Sequence, residues 1–500
     1  MNENETENNM APVPAFNHPL DWIRIFGPGA VIASLTIGSG ELIFSTRGGA
    51  LFGYPLLWIF LVVCILKWIL VYSGSRHLIL SGVHPIQRWM DLPGPRGWLP
   101  LTFLILAIIS FPIWVSFHAG TLGTLLNALT PSADGQDSYA YYLWGALLSG
   151  GVLALILSGS YQRLERIQLI LVCTMLAGVT LSLFMLGPVW LDLLSGLIPQ
   201  KIAYPNWIDS LEAFRNRPLA VEIGTYVGVI GGGAYDYLAY MSYLREKKWG
   251  QAGKPPANNA ELIEIEKHID HPNRRWLRAP MIDCAISFLL IFIFSTVFLA
   301  CGKIVLGSQQ MVPSGTNLLT FQAAIVNSSF PWMKSFYFVG AFLAMFGTLY
   351  GTIEVAPAIL KEIQIALGNP FPDMNTRKTA VLWTGIPAIG ILVGNFLWGT
   401  FIEGSNPPSL VAVLTPANLF TGVLACGIIC LLNPWMDRKY LRRELRMKPA
   451  LVLANYGAGI LFLIIGLTAG WRGHGWLSLV ILIGTLGTGW LAAIIFERKF

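Results

Sequence analysis

Two glycine-rich stretches, each followed closely by an acidic side chain, are the parts of this sequence best suited to bind a ligand. The first reads Gly38-Ser39-Gly40-Glu41, and the second reads Gly231-Gly232-Gly233-Ala234-Tyr235-Asp236. Each glycine costs a helix about 1 kcal/mol relative to alanine, so such clusters favour an unwound backbone with free carbonyl groups. Carboxylates and free carbonyls are oxygen ligands for cations. We therefore expect both stretches to contribute to one site for a charged ligand.

Both stretches lie inside long apolar segments of a chain that is 54% hydrophobic and only 12% charged. A soluble chain is about 25% charged, and a membrane-spanning helix needs about 20 mostly apolar residues. The composition therefore predicts an all-α, polytopic membrane protein. Twelve segments qualify as spans: 25–50, 52–75, 98–127, 140–159, 165–187, 219–243, 280–304, 332–362, 379–400, 409–432, 450–470 and 476–496.

The basic residues favour one orientation of these spans. They concentrate in every second connection, above all in 245–279 and 433–449, whereas the intervening loops carry few. Cytoplasmic loops of membrane proteins are enriched in Lys and Arg. We therefore predict that both termini are cytoplasmic, that residues 1–20 form a short cytoplasmic tail, and that the protein lies in the plasma membrane.

The positions of the two glycine clusters indicate an internal repeat. They fall in the first and sixth spans, which is the offset expected when two five-span halves form an inverted repeat with the site between them. Glycines that allow close helix packing are the alternative explanation. The prediction is a ten-span transport core at 21–432, with repeats of about 21–187 and 219–432. A basic connection at 433–449 and two additional spans at 450–500 follow it.

Short runs elsewhere in the chain resemble the Nramp family of proton-coupled divalent-metal transporters, which have the LeuT-type fold. The resemblance extends from about residue 22 to residue 440 and is strongest in the first span. The runs that carry it are Phe26-Gly27-Pro28-Gly29, Gly48-Gly49-Ala50, Phe52-Gly53-Tyr54-Pro55-Leu56-Leu57-Trp58, Tyr161-Gln162-Arg163-Leu164-Glu165 and Gly228-Val229-Ile230-Gly231. The resemblance implies alternating-access secondary transport of a divalent cation, with proton coupling as an option.

The chain departs from the family at the metal-binding motifs. The family's first-span Asp-Pro-Gly-Asn, whose Asp and Asn bind the metal, corresponds here to Gly38-Ser39-Gly40-Glu41. Its sixth-span Met-Pro-His corresponds to Tyr235-Asp236-Tyr237, which lacks the thioether that suits soft metals. We expect Glu41 and Asp236 to bind the metal, with Ser39, Tyr235 and the carbonyls near Gly38 and Gly232 completing the shell. Such an oxygen-only set favours a hard cation such as Mg²⁺.

Three further residues within the spans are candidates for coupling or gating. Arg47 follows Glu41 on the same half-helix and could pair with an acid near the outer surface. Glu354, three residues before Pro357 in the eighth span, could join a coupling site or balance Arg47. His118 in the third span could relay protons near neutral pH. A structural ion pair for Arg47 and Glu354, and a hydrogen-bonded core position for His118, are the alternatives.

Three other charged residues receive structural interpretations. Lys67, inside the second span, is expected to extend towards the interface or to pair with an acid. Glu222 and Asp283 lie near span ends, where an interfacial position is expected.

The sequence leaves two other functions open. The same scaffold could carry a small organic solute such as an amino acid or an amine. A non-transporting membrane sensor or scaffold, with 245–279 and 433–449 as its partner surfaces, is the third possibility. The chain contains no P-loop, HExxH or GxSxG motif and no basic run interleaved with aromatics, so we expect neither an enzyme with a cofactor nor a nucleic-acid-binding protein. The oligomeric state stays open.

Overall fold

The computed structural model of the chain describes residues 27–130, 139–158, 190–211, 214–321, 333–402 and 406–497, with a few isolated positions outside these ranges. The regular structure of these residues is helical throughout, which confirms the predicted all-α class. The expected fifth span at 165–187, the run Tyr161–Glu165 and most of the tail 1–20 lie outside the described residues.

The described helices are numbered here in chain order, and three short π-helical segments join or extend them. The helices are α1 Pro28–Thr36, α2 Thr46–Phe52, α3 Leu57–Ser81, α4 Pro85–Arg88, α5 Trp98–Leu129, α6 Ala140–Leu157, α7 Trp190–Ser195, α8 Leu219–Val229, α9 Ala234–Glu246, α10 Asn259–Lys267, α11 Pro272–Trp276, α12 Arg278–Cys301, α13 Met333–Ala366, α14 Thr376–Phe401, α15 Leu410–Asn418, α16 Ala425–Tyr440, α17 Pro449–His474 and α18 Trp476–Glu497. The π-helical segments are Ile37–Ser45, Gly302–Leu306 and Leu419–Leu424.

Nine helical segments among the described residues are long and apolar enough to cross a membrane. They agree with nine of the twelve spans expected from the sequence. The sixth expected span is a helix broken by an unwound turn, the first is interrupted only by a π-helical segment, and the fifth lies mostly outside the described residues. The nine segments are Tyr54–Ser81, Trp98–Leu129, Ala140–Leu157, Pro272–Gln309, Tyr337–Ala366, Thr376–Phe401, Leu410–Tyr440, Pro449–His474 and Trp476–Glu497.

The spans differ in how far they are enclosed by the rest of the protein. In the most apolar window of Leu410–Tyr440, 78% of the residues are buried, but the corresponding share is 28% for Pro449–His474 and 11% for Trp476–Glu497. The interrupted first span packs against α12 and α13, and α8 packs against the π-helical segment Leu419–Leu424. The two C-terminal helices therefore lie at the periphery, and the interrupted helices lie in the interior.

The two basic connections, 245–279 and 433–449, pack against each other. Residue Asn258 caps α10, because its side chain accepts a hydrogen bond from the Glu261 backbone N–H at 2.9 Å. The apolar face of α10 packs on the ends of neighbouring helices, and Arg442 forms an ion pair with Glu266. The hydrogen bond that Arg442 donates to Glu266 lowers the pKa of the Glu266 carboxyl group. Parts of 245–279 and 433–449 therefore pack against other parts of the chain. These are the segments that the scaffold hypothesis assigned to partner binding.

Candidate functional site

The sixth span is interrupted at the glycine cluster, as the sequence predicts. Helix α8 ends at Val229 and α9 begins at Ala234. Between them Ile230 is extended, and Gly231 and Gly232 have φ angles of +79° and +88°. Residues other than glycine rarely adopt such backbone angles, so the glycine cluster makes the unwound turn possible. The turn removes several carbonyl groups from helical hydrogen bonds in the middle of a span.

The first span takes a different form from the predicted break. Residues Ile37–Ser45 form a π-helix that joins α1 to α2 without an unwound turn. A methyl group at Gly38 would lie 2.8 Å from the Ala344 carbonyl oxygen, and one at Gly40 would lie 2.8 Å from the Val229 carbonyl oxygen. Both glycines therefore let the eighth and sixth spans approach closely. π-Helical segments are rare and are often found at functional sites.

Glu41 links this π-helix to the broken sixth span. The side chain is fully buried, and its Oε1 accepts a hydrogen bond from the Gly231 N–H at 3.3 Å. Its Oε2 is also buried and makes no hydrogen bond of standard geometry within the described residues. A buried carboxylate in a span is costly unless it has a partner or a function. Glu41 thus stabilises the unwound turn directly.

The side chain of Lys67 on α3 directly contacts the broken turn. Its Nζ lies 3.0 Å from the Gly228 carbonyl oxygen and 2.6 Å from each of the Ile230 and Gly232 carbonyl oxygens. The side chain is fully buried. The expectation that Lys67 extends to the interface is wrong, because the broken turn offers it three acceptors inside the protein.

A cavity of about 50 Å³ lies beside the broken turn. It lies between the interrupted first and sixth spans, α5, α13 and the π-helical segment Leu419–Leu424. Of the predicted binding residues, Ser39, Gly232, Tyr235 and Asp236 line it, whereas Gly38, Gly40 and Glu41 do not. The lining residues are Leu35, Thr36, Ser39, Ser110, Phe111, Trp114, His118, Val229, Gly232, Gly233, Tyr235, Asp236, Thr352 and Thr421.

Asp236 and Tyr235 reach the cavity from the first turn of α9. The Asp236 Oδ2 atom accepts a hydrogen bond from the Gly233 N–H at 2.7 Å, which holds the carboxylate at the positive end of the helix. The Tyr235 hydroxyl donates to the Phe103 carbonyl oxygen at 2.6 Å, and its ring packs on Phe111. Asp236 therefore supplies the one carboxylate among the residues that line the cavity.

Arg47 forms a buried ion pair with Glu222. The Arg47 Nε lies 2.6 Å from Glu222 Oε1, and its Nη1 donates to the Pro313 carbonyl oxygen at 2.9 Å. The Tyr226 hydroxyl donates to Glu222 Oε1 at 2.7 Å. Glu222 is fully buried within the protein, and Arg47 and Arg217 together compensate its charge. Arg47 pairs with Glu222 and not with Glu354.

The two remaining candidates occupy different environments. His118 lines the cavity, with its Nδ1 lying 3.2 Å from Thr352 Oγ1 and its buried Nε2 without a hydrogen-bond partner among the described residues. Glu354 lies outside the cavity lining, accepts a hydrogen bond from the Tyr350 hydroxyl at 3.1 Å and pairs with Arg377 at 2.5 Å. The structure thus brings His118 to the site and gives Glu354 a partner on the next helix.

Asp283, the other acid expected near a membrane interface, is fully buried within the protein. Its carboxylate accepts hydrogen bonds from the Gly27 N–H at 3.2 Å, the Gly29 N–H at 2.8 Å and the Tyr240 hydroxyl at 2.8 Å. It therefore caps the start of α1. An acid within an apolar span is the sequence signal that could have identified this position, as it could have for Glu222.

Solved structures show the same fold. A manganese transporter of Eremococcus coleocola, solved with an aromatic bis-isothiourea compound, matches with a TM-score of 0.67 at 15% identity over 99% of both chains. MhsT, solved with L-phenylalanine, matches with a TM-score of 0.53 at 15% identity over 92% of this chain and 98% of that chain. These similarities confirm the LeuT-type architecture.

The sequence itself matches a family model across nearly the whole chain. The model is described as "Natural resistance-associated macrophage protein-like", and it covers residues 29–472. This match includes both interrupted spans, the cavity and most of α17. The chain therefore belongs to the Nramp family, which consists of integral membrane proteins that transport metal ions and are not enzymes.

Proposed function

We propose that this protein is a secondary transporter that carries a divalent cation by alternating access, and that the cation binds in the cavity at Asp236. The observation that carries the proposal is the cavity beside the broken sixth span, lined by Asp236 together with Ser39, Thr36 and the glycines of the turn. Interrupted spans in transporters place free backbone carbonyls and side-chain ligands at the middle of the membrane. The Eremococcus coleocola protein of similar fold is a manganese transporter, which favours a metal here.

The size of the cavity supports an ion over a larger solute. A water molecule needs about 10–15 Å³ measured in the same way, so the volume of about 50 Å³ holds an ion with a few waters. Pockets for drug-sized ligands measure about 300–1,000 Å³. A cavity of this size therefore favours an ion over a drug-sized solute.

The donors in the cavity support a hard cation such as Mg²⁺. Hydroxyl groups of Ser39, Thr36 and Thr352 and the Asp236 carboxylate supply oxygen, and none of the described lining residues is a Met or a Cys. Oxygen ligands suit Mg²⁺, Ca²⁺ and Mn²⁺, whereas sulfur selects softer metals. The one nitrogen donor is His118, whose Nε2 is free of hydrogen bonds within the described residues.

We also propose that cation transport is coupled to protons through His118. His118 is the one imidazole among the residues that line the cavity, and its Nε2 has no hydrogen-bond partner among the described residues, so it is a candidate proton acceptor there. Liposomes that contain a pH indicator test this coupling, since Mg²⁺ entry should then acidify the lumen. His118→Asn should abolish the acidification, and an unchanged pH signal in this variant would refute the role of His118.

Flux through the purified protein in liposomes tests the proposed cargo. Uptake of Mg²⁺ and Mn²⁺ is measured for the wild type, Glu41→Gln and Asp236→Asn, with Asp270→Asn in an exposed part of the inner connection as the control. We expect Mg²⁺ uptake by the wild type and the control, and at least a tenfold loss in Asp236→Asn. The proposal fails if neither ion moves, or if Asp236→Asn transports normally.

A small organic solute is the second candidate. The rings of Phe111, Trp114 and Tyr235 line one cavity, which favours an amine or an amino acid with an apolar part. A thermal-shift screen of metal ions against organic solutes separates the two candidates. Stabilisation by organic solutes alone would replace the metal proposal with this one.

A further inference from the structure

The ammonium group of Lys67 occupies a cage of backbone carbonyl groups. Its Nζ lies 2.6–3.0 Å from the carbonyl oxygens of Gly228, Ile230 and Gly232, and its side chain is fully buried. A lysine ammonium has three donor hydrogens. Three carbonyl acceptors at these distances match that number, so the cage satisfies all three donors of the ammonium.

The cage exists because the sixth span is broken. Gly228 lies at the C-terminal end of α8, where unpaired carbonyls carry the negative end of the helix dipole. Ile230 and Gly232 belong to the unwound turn, and the Tyr237 hydroxyl donates to the Gly231 and Gly232 carbonyl oxygens at 2.7 and 2.9 Å. Unwound carbonyls and half-helix C-termini at this depth are the groups that coordinate Na⁺ or H⁺ in transporters.

We propose that Lys67 is a tethered cation in a monovalent-cation site, so that the protein functions without free Na⁺ or K⁺ at the broken turn. The ammonium carries a single positive charge and is surrounded by three neutral carbonyl groups. This arrangement supplies from the chain itself the positive charge that a bound monovalent ion would supply.

The dimensions of the cage separate it from the proposed divalent-cation site. Mg²⁺ binds oxygen at about 2.0–2.1 Å, whereas the Nζ–oxygen distances are 2.6–3.0 Å. The carbonyl oxygens therefore surround a larger ion than Mg²⁺. Lys67 is also absent from the residues that line the cavity at Asp236. The inference rests on the broken turn alone and does not depend on which solute is transported.

Replacement of Lys67 by a short neutral side chain tests the inference. Lys67→Ala and Lys67→Gln remove the charge and leave the carbonyl groups and both carboxylates in place. Full-length protein is purified, and its melting temperature is measured in NaCl, KCl and choline chloride of equal ionic strength, without any divalent cation. Lys303→Ala is the matched control, because the Lys303 ammonium lies over the Tyr54 ring, 3.7 Å from its centroid.

The expected result is a gain of cation dependence in the Lys67 variants only. Na⁺ or K⁺ should raise their melting temperature by several degrees in a saturable manner, because a ligand that binds only the folded state stabilises it. If a Lys67 variant yields folded protein when it is purified in NaCl or KCl but not in choline chloride, that result supports the inference equally.

The wild type and Lys303→Ala should behave alike in all three salts. The inference is overturned if both Lys67 variants show the same recovery and the same melting temperature in the three salts, or if neither is recovered in any of them. Because no divalent cation enters this experiment, its failure would leave the flux result standing, and the reverse also holds.

Discussion

At the scale of single residues, the carboxylates of Glu41 and Asp236 have different positions, although their sequence contexts are similar. Asp236 lines the cavity, whereas Glu41 is outside the lining and accepts a hydrogen bond from the Gly231 N–H. The difference could not be predicted from sequence, because both acids follow glycines inside apolar spans. It follows from the π-helix, which sets the register of Glu41, and from the start of α9 at Ala234.

This difference predicts different kinetic effects of the two carboxylate substitutions. Asp236→Asn should raise the half-saturating Mg²⁺ concentration at least tenfold, which corresponds to about 1.4 kcal/mol of lost binding. Glu41→Gln should chiefly lower the maximal rate, because it loosens the turn that positions the site. Initial rates over a range of Mg²⁺ concentrations distinguish these outcomes. Equal effects on both constants in the two variants would contradict the assignment.

The buried pair of Arg47 and Glu222 leads to a prediction about stability. Glu222→Gln leaves the Arg47 charge without its buried partner, and such a loss costs about 3–5 kcal/mol. Thermal unfolding of the purified protein should therefore show a large decrease in melting temperature. Glu266→Gln is the control, because Glu266 pairs with the partly exposed Arg442 outside the spans, and its loss should change the melting temperature little. Similar decreases for both variants would argue against a special contribution from the Arg47 pair.

At the scale of helices, glycine clusters of similar composition produce two different structures. Gly231 and Gly232 adopt positive φ angles in an unwound turn, whereas Gly38 and Gly40 stay helical and provide room for neighbouring backbone. The sequence predicts both positions correctly as special but cannot distinguish the two forms. The choice depends on the Ala344 and Val229 carbonyls, which approach from distant parts of the chain.

Helix packing in the first span can be tested with alanine. Gly38→Ala would place a methyl group 2.8 Å from the Ala344 carbonyl oxygen, so the spans must separate. We expect a clear loss of melting temperature and of transport. Gly150→Ala in α6 is the matched control, since no atom of the described residues outside its own helix lies within 4 Å of the added methyl group. Alanine is favoured over glycine in a helix by about 1 kcal/mol, so this control should be neutral or stabilised. Normal stability of Gly38→Ala would contradict close packing.

At the scale of the whole molecule, local patterns predict the spans, and long-range contacts decide the site. Apolar length alone identifies nine of the described membrane segments. In contrast, Lys67 lies more than 160 residues along the chain from the carbonyls that it contacts. The residues around Lys67 in the sequence do not predict that its ammonium contacts the broken turn of the sixth span. The cavity has the same origin, because it is shared by the first, third, sixth and eighth expected spans and by the tenth.

The predicted orientation is a property of the whole molecule that labelling can check. The five cysteines that the structure describes are buried, so a new surface cysteine should dominate labelling. A membrane-impermeant maleimide should label Asp209→Cys in intact cells but should label Glu264→Cys only after permeabilisation. Both positions are exposed on the protein, in an outer loop and in the inner connection of the predicted topology. The reverse pattern would invert the orientation, and labelling of neither in intact cells would contradict the plasma membrane.

The central claim is that a divalent cation binds in the cavity at Asp236, and crystals soaked in Mn²⁺ test it most directly. Mn²⁺ shares the oxygen preference of Mg²⁺ and gives an anomalous signal. We predict an anomalous peak within about 2.5 Å of the Asp236 carboxylate, which excess Mg²⁺ removes and which is absent from Asp236→Asn crystals. A cavity without a peak, or a peak that survives both changes, would contradict the claim.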